Sequence, residues 1–290
     1  MSAEPRDLTR SELKQLPLPP YPDSDKTAHG YVVVIAGSRY TPGSAALATS
    51  AAMRSGVGQV TVITVESTAS ALSIQVPEAK VVPIAEASDG GFTLAVIDCI
   101  AEHVKTCGGV VAGPGMTDDE VSSEIARTLL ALPMPVILDA ALLYSLPALA
   151  DDCRARQMPA ILLPHKVEMA ALLGCSEEEA ERDAAGCARR AADRFNALVL
   201  AKGPVSHIAA PDGRSWIHRG GAPGLGVAGS GDTLAGIVGA LLARGADPLT
   251  ALLWGVLLHG EAGELLSTKV GPVGFFAREI PDEIPALLAR

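Results

Sequence analysis

The chain predicts an α/β fold in which a mostly parallel sheet is covered by helices on both faces. The first ground is the form of its short apolar runs. Tyr31–Ala36, Gln59–Val65 and Gly109–Ala112 are solid rather than alternating, the pattern of strands buried on both sides. The second is their alternation with longer Ala- and Leu-rich segments of helical length. The third is composition. Hydrophobic residues make up 48% of the chain and aromatics only 3%, so the core must be built from Ala, Val, Leu and Ile. Such a core favours close packing of helices on a sheet.

Each element follows in order. Residues 1–28 carry Pro17, Pro19, Pro20 and Pro22 among charges and read as an N-terminal arm, with 29–290 as a single domain. Tyr31–Ala36 is a strand, Ser44–Ser55 an Ala-rich helix, and Gln59–Val65, Ala79–Pro83 and Gly109–Ala112 are strands. Asp118–Ala131 is helical, and Pro135–Asp139 is a strand followed by a helix to Ala150. Ala160–Leu163 is a strand stopped at Pro164. Ser176 and Glu179 stand at capping-box spacing, at the head of one long helix to Phe195. Ala197–Lys202 is a strand. Val205–Ala210 and Ser215–His218 flank the turn Pro211-Asp212-Gly213 and form an antiparallel hairpin. Helices Asp232–Arg244 and Pro248–Ser267 follow.

The formal net charge is −10, which argues against nonspecific binding to nucleic acid or an anionic membrane. Cys99, Cys107, Cys153, Cys175 and Cys187 are scattered, with no C-x-x-C pair. That spacing fits a reducing, cytoplasmic setting and gives no signal for structural zinc. The N-terminus is polar and proline-rich, without a signal-peptide pattern, and no apolar run is long enough to span a bilayer.

In open α/β sheets, ligands bind beyond the carboxyl ends of the strands. Those ends here read Gly37–Ser44, Gly113-Pro114-Gly115, Asp139, Pro164-His165-Lys166-Val167-Glu168 and Lys202-Gly203. The sharpest segment is Gly229-Ser230-Gly231-Asp232, which runs straight into an apolar helix. Free amides at a helix start attract phosphate, and glycines allow its close approach. Asp232 there is either a helix cap or a base beside the phosphate. His165 is a ligand contact or a cap, Asp139 a Mg²⁺ ligand or a cap, and Lys202 a phosphate contact or a solvated surface lysine. Gly224-Leu225-Gly226-Val227-Ala228-Gly229 matches G-x-G-x-x-G, but no strand precedes it and no strand-end acid follows at dinucleotide spacing. It reads as an anion loop. A P-loop motif and H-E-x-x-H are both missing from the sequence.

Together these segments resemble the ADP-dependent NAD(P)H-hydrate dehydratases, a carbohydrate-kinase-related group of the ribokinase-like superfamily. The resemblance runs from about Ser24 onward. It rests on residues 34–41 (Val-Ile-Ala-Gly-Ser-Arg-Tyr-Thr), 52–62 (Ala-Met-Arg-Ser-Gly-Val-Gly-Gln-Val-Thr-Val), Gly113-Pro114-Gly115 and 136–140 (Val-Ile-Leu-Asp-Ala). Pro164-His165 with Glu168-Met169, Lys202-Gly203, and Pro223-Gly224 through Ile237 complete it. It implies a ribokinase-like three-layer α/β/α sandwich. It also implies dehydration of hydrated NADH or NADPH, with ADP or ATP as co-substrate, room for Mg²⁺, and assembly of identical copies. The epimerase domain fused to this one in some members is not expected within these residues. By the same resemblance Asp232 is the catalytic base. Lys202, Gly203, Gly229, Ser230 and Gly231 meet the nucleotide, and Ser44, Ala45, Gly115, His165 and Asp232 meet the hydrate. The alternatives are a ribokinase-like kinase acting on a sugar or vitamin alcohol, and a non-catalytic nucleotide-binding paralogue. The chain departs from the family pattern at Ala141, where an acid is usual, and at Tyr144, Val167, Val227 and Ala228. Val227 and Ala228 replace a hydroxyl and a glycine, and are expected to stiffen the loop and weaken nucleotide binding.

Overall fold

The computed structural model describes residues 4–21 and 26–290, so residues 1–3 and 22–25 of the expected arm, Pro22 included, lie outside the described residues. The chain starts with β1 (Arg6–Asp7) and α1 (Arg10–Leu13). A run of strand–helix units follows: β2 (Tyr31–Ile35), α2 (Pro42–Arg54), β3 (Gln59–Val65), α3 (Glu66–Gln75), β4 (Lys80–Ile84), α4 (Ala95–His103). It continues with β5 (Gly109–Ala112), α5 (Glu120–Leu130), β6 (Val136–Leu138), α6 (Ala141–Ser145), α7 (Ala150–Arg154) and β7 (Ile161–Leu162). Then come α8 (Lys166–Leu173), α9 (Glu177–Arg182), α10 (Ala184–Phe195), β8 (Leu198–Ala201), β9 (Ser206–Ala209) and β10 (Ser215–His218). Helices α11 (Ser230–Ala243), α12 (Pro248–Lys269) and α13 (Ile280–Leu288) end the chain.

The strands form one ten-stranded sheet in the order β1-β10-β9-β8-β7-β6-β5-β2-β3-β4. From β8 to β4 every pairing is parallel, and the hairpin adds antiparallel β9 and β10. The predicted mostly parallel, helix-covered sheet is what the chain forms. Alternate side chains of β2 serve opposite layers. Val32 and Val34 pack toward α2, α11 and α12, while Val33 and Ile35 pack toward α4, α5 and α10. All four are fully buried. Burial of each such side chain stabilises by about 1.5–3 kcal/mol relative to exposure. The small-residue core permits close helix contact. A Cβ at Gly236 of α11 would lie 2.2 Å from the Ala48 carbonyl oxygen of α2.

The chain leaves β2 toward β3 on one side and later returns at β5 on the other, so the strand order reverses between β2 and β5. Loops diverge there and open a crevice at the carboxyl ends of the strands. The described part of the arm docks at the far edge. The Leu8 amide donates to the Ile217 carbonyl at 2.8 Å, Leu13 is fully buried, and Arg10 grips Glu261 with bonds of 2.7 and 2.5 Å.

Two features depart from the sequence reading. The single helix expected from Ser176 to Phe195 is broken at Asp183 (φ −122°, ψ 50°), which ends α9 and caps α10 by accepting from the Gly186 amide. Helices α1, α3, α4, α8 and α13 are not among the expected elements. Helix α3 is rich in Ser and Thr, and α13 contains Pro285. Pro83 is tolerated because β4 is an edge strand.

Candidate active site

The crevice is built on the N-terminus of α11. Gly229 takes φ 90°, a left-handed conformation that strains any residue with a Cβ, and a Cβ there would also have to displace the Leu47 Cδ1 methyl. The Ser230 amide folds back on the Val227 carbonyl at 3.2 Å, and the Thr233 amide takes the Gly229 carbonyl at 3.1 Å. Among the described residues no backbone carbonyl outside the helix takes up the Gly231 and Asp232 amides, which leaves them for an anion. Behind the loop, His259 of α12 places Nε2 3.1 Å from both the hydroxyl and the carbonyl oxygen of Ser230. Burial pushes the His259 imidazole down to about 4, so it is neutral at working pH.

Asp232 lies in the first turn of α11, partly buried and hydrogen-bonded by Ser44 from the start of α2. Its carboxyl is pushed up to about 6, chiefly by burial and further by the charges of Asp139 and Glu168, against the opposing pull of Ser44 and Lys202. A carboxylate tuned toward neutrality beside free amides is suited to taking a hydroxyl proton.

Lys202, just past β8, points its ammonium at the same place. Nζ lies 2.8 Å from Asp139 Oδ1 and 3.7 Å from Glu168 Oε2, and a Cβ on Gly231 would be 3.4 Å from it. Burial alone would lower the Lys202 pKa, but Asp139, Glu168 and Asp232 outweigh it and the net direction is up. Lys202 is therefore not the solvated surface lysine of the simpler reading. Asp139 ends β6 with its side chain 2% exposed. Ala140 follows at φ 48°, ψ −122°, a conformation disfavoured for a residue with a Cβ, and donates its amide to Asp139 Oδ1 at 2.9 Å. Asp139 Oδ1 thus takes both the amide of Ala140, the N-cap of α6, and the Lys202 ammonium.

His165 and Glu168 form a capping box on α8. His165 Nδ1 accepts from the Val167 and Glu168 amides at 3.1 and 3.4 Å, and Glu168 Oε2 accepts from the His165 amide at 2.8 Å. His165 thus serves as the cap, with a face still 48% exposed at the crevice. Glu168 is pushed up by burial first and by Asp139, against the pull of Lys202. On the opposite wall, Gly115 (φ 64°) packs on Ser44, and Thr41 Oγ1 donates to the Gly115 carbonyl at 2.5 Å.

Of the expected residues, Ser44, Gly115, Lys202, Gly229, Ser230, Gly231 and Asp232 converge. Gly203 lies beside Lys202, where a Cβ would meet only the Val205 carbonyl. Ala45 is fully buried with its methyl against Gly37, so it shapes the wall from behind. Sequence reasoning gave Glu168 no role, although its capping-box spacing to His165 marked it. It also passed over His259, a lone histidine on an apolar helix. Val227 and Ala228 have no positive φ; among described non-glycine residues only Ala140 and Asn196 do. The left-handed position of the loop is Gly229, so neither departure places a residue with a Cβ in a strained conformation.

A strand-end crevice with an anion-binding helix start, a lysine and a poised carboxylate is suited to a phosphate-bearing ligand. Comparison with known proteins gives the family. The NAD(P)H-hydrate dehydratase family model matches residues 32–286, and the chain belongs to that family. A Xanthomonas campestris protein named ADP-dependent (S)-NAD(P)H-hydrate dehydratase is 39% identical over 287 residues, covering 98% of this chain and 96% of the relative. The Escherichia coli bifunctional NAD(P)H-hydrate repair enzyme is 32% identical, and the match spans 90% of this chain and 48% of that protein. The crystal structure of a Bacillus subtilis ADP/ATP-dependent NAD(P)H-hydrate dehydratase, co-crystallized with ATP/Mg²⁺, superposes with a TM-score of 0.86 at 28% identity, covering 99% of this chain and 98% of that one.

Proposed function

We propose that this protein removes water from hydrated NADH and NADPH with ADP or ATP as phosphoryl donor. The observation that carries the reading is Asp232, held near neutrality at a helix start whose Gly231 and Asp232 amides are free. Hydroxide is a poor leaving group, so the hydrate hydroxyl must be activated. Asp232 takes the hydroxyl proton as the oxygen attacks the terminal phosphorus of the nucleotide. The O–P bond to the hydrate forms, and the bond to the nucleotide's bridging oxygen breaks, releasing AMP from ADP. The Gly231 and Asp232 amides and Lys202 meet the charge on the moving phosphoryl group. The ring nitrogen's electron pair then expels phosphate, and loss of the neighbouring ring proton restores the dihydronicotinamide.

The donor set also fits Mg²⁺. Asp139, Glu168 and Asp232 bring three carboxylates to a place where Lys202 is the cation they share, and Mg²⁺ is held through one or two carboxylates plus nucleotide phosphates. Asp139 and Glu168 would hold it and offset phosphate charge. No helix among the described residues is long and apolar enough to cross a membrane. The scattered spacing of Cys99, Cys107, Cys153, Cys175 and Cys187 fits a reducing cytoplasmic setting. The test is incubation of purified protein with hydrated NADH, Mg²⁺ and ADP. Return of the near-ultraviolet absorbance of reduced nicotinamide, with one AMP formed per cofactor restored, is the expected result. AMP-free recovery, or no recovery with either nucleotide, overturns the reading.

A further inference from the structure

We propose that Cys175, Cys187 and Glu179 form a binding site for a soft divalent cation of the zinc class, remote in sequence from the anion loop. The sequence spacing gave no zinc signal because two of the ligands meet only through the fold. Cys175 follows Gly174, which ends α8 in the left-handed conformation (φ 68°, ψ 34°). This turn, fixed by a Cys175 amide bond to the Ala170 carbonyl at 3.1 Å, brings the thiol back over α10. There Cys187 is fully buried, and Glu179 reaches in from α9. The two sulfurs and a Glu179 carboxylate oxygen all lie within 4.8 Å of one another. In a tetrahedral zinc site, sulfur ligands at about 2.3 Å from the metal stand about 3.8 Å apart. Small side-chain rotations close the difference.

A second observation marks the centre of the cluster as a place for positive charge. Arg190 Nη2 donates to Glu179 Oε1 at 2.6 Å and to Cys187 Sγ at 3.2 Å, so one cationic N–H group touches two of the three donors. Its Nη1 reaches Asp183 Oδ2 at 3.4 Å. The Arg190 side chain is 46% exposed and can turn out into solvent. The same short helix carries Glu177 and Glu178, with Glu181 paired to Lys166 at 3.0 Å and Arg182 in the last turn. Two thiols and one carboxylate suit zinc or cadmium over Mg²⁺ or Ca²⁺. Each thiol gives up its proton as its sulfur takes the metal, and water completes the coordination. The metal would tie the C-terminal end of α8 to α9 and α10, and the other end of α8 carries His165 and Glu168 into the crevice.

The probe is Cd²⁺, added to the reduced full-length protein while the near-ultraviolet thiolate-to-cadmium charge-transfer band is followed, with Zn²⁺ as competitor. The expected result is a band that saturates at one equivalent and is abolished by Zn²⁺. Cys175→Ser should weaken binding by tenfold or more, and Glu179→Gln by a smaller factor, about threefold. Arg190→Gln removes the resident cation and should tighten binding about tenfold, the scale of one charge-assisted hydrogen bond. That increase distinguishes a metal site from a merely structural arginine bridge. Absence of the band, a band unchanged in Cys175→Ser, or weaker binding in Arg190→Gln would each overturn the proposal.

Discussion

Asp232→Asn is expected to produce a more stable but catalytically crippled protein, and the structure sets the size of the first effect. The Asp232 carboxyl titrates near 6 in the fold against 3.8 for the ordinary side chain. A folded pKa above the unfolded one means that the neutral acid is favoured by the fold. The stability this gives is complete below about pH 3.8 and is lost as pH rises through about 6. At pH 7.5 the ionised carboxylate therefore opposes folding by about 3 kcal/mol, from a shift of roughly two units at 1.36 kcal/mol each. At pH 5 the opposition is about half that, because the folded carboxyl is then mostly protonated. Asn cannot ionise, yet it can still accept the Ser44 hydrogen bond. The variant should thus gain about 3 kcal/mol at pH 7.5 and about 1.5 kcal/mol at pH 5, seen as a melting temperature roughly 5 °C higher at pH 7.5. Turnover should fall by about 10²-fold or more, as for loss of a general base. In the unmodified enzyme kcat/KM should drop about tenfold per pH unit below the Asp232 pKa and level off above it. Melts at both pH values, with turnover on the same preparations, are the assay. Equal stabilisation at pH 5 and 7.5 would refute the burial argument, and near-normal turnover would reduce Asp232 to a helix cap.

Other outcomes follow from the same geometry. His259→Ala removes the neutral imidazole behind Ser230 and should raise the Kd for ADP about tenfold in calorimetric titration, with kcat at saturating nucleotide changed less. Arg156 is buried and donates to the carbonyls of Leu129, Leu130, Leu132, Met134 and Met158, so Arg156→Met should destabilise by about 3 kcal/mol or more in urea unfolding. Ala140→Gly relieves the φ 48° strain beside Asp139 and should stabilise by about 1 kcal/mol in the same assay, and destabilisation would show that this backbone is unstrained.

The sequence was most legible where the physics is local and repetitive. Solid apolar runs marked the central strands because a parallel strand buries both of its faces. The hairpin was legible because Pro211-Asp212-Gly213 permits little but a turn. The long helix from Ser176 was misread because its capping-box start does not say where the helix stops, and only the fold shows that Asp183 turns the chain and restarts it. In the crevice, Gly229-Ser230-Gly231-Asp232 could be read because its helix start and its anion site are one local object. The Lys202–Asp139–Glu168 cluster could not. Its members come from three different strand ends, and their ionic contacts exist only once β6, β7 and β8 lie side by side. His259 was invisible for the same reason, since nothing in α12 says that it faces Ser230.

The departures from the family pattern can now be weighed one at a time. Val167 stands where a glycine is usual, but it occupies the first turn of α8 without a positive φ, and its amide reaches His165 as a capped helix requires. Val227 and Ala228 lie before the left-handed residue of the anion loop, and neither needs glycine's freedom. Ala141 lacks the usual acid and is buried at the start of α6, yet Asp139, Glu168 and Asp232 still give the crevice three carboxylates around Lys202. By contrast, the positions that demand a missing Cβ keep it. At Gly113 a Cβ would fall 1.8 Å from the Asp139 carbonyl oxygen, at Gly115 it would strike Ser44 at 2.6 Å, and at Gly229 it would strike Leu47. The chain has varied where the backbone tolerates variation and held where it does not. A non-catalytic nucleotide-binding paralogue would keep Gly229 and Lys202 for the nucleotide but has no need of a desolvated carboxylate beside them, and this chain keeps Asp232 there.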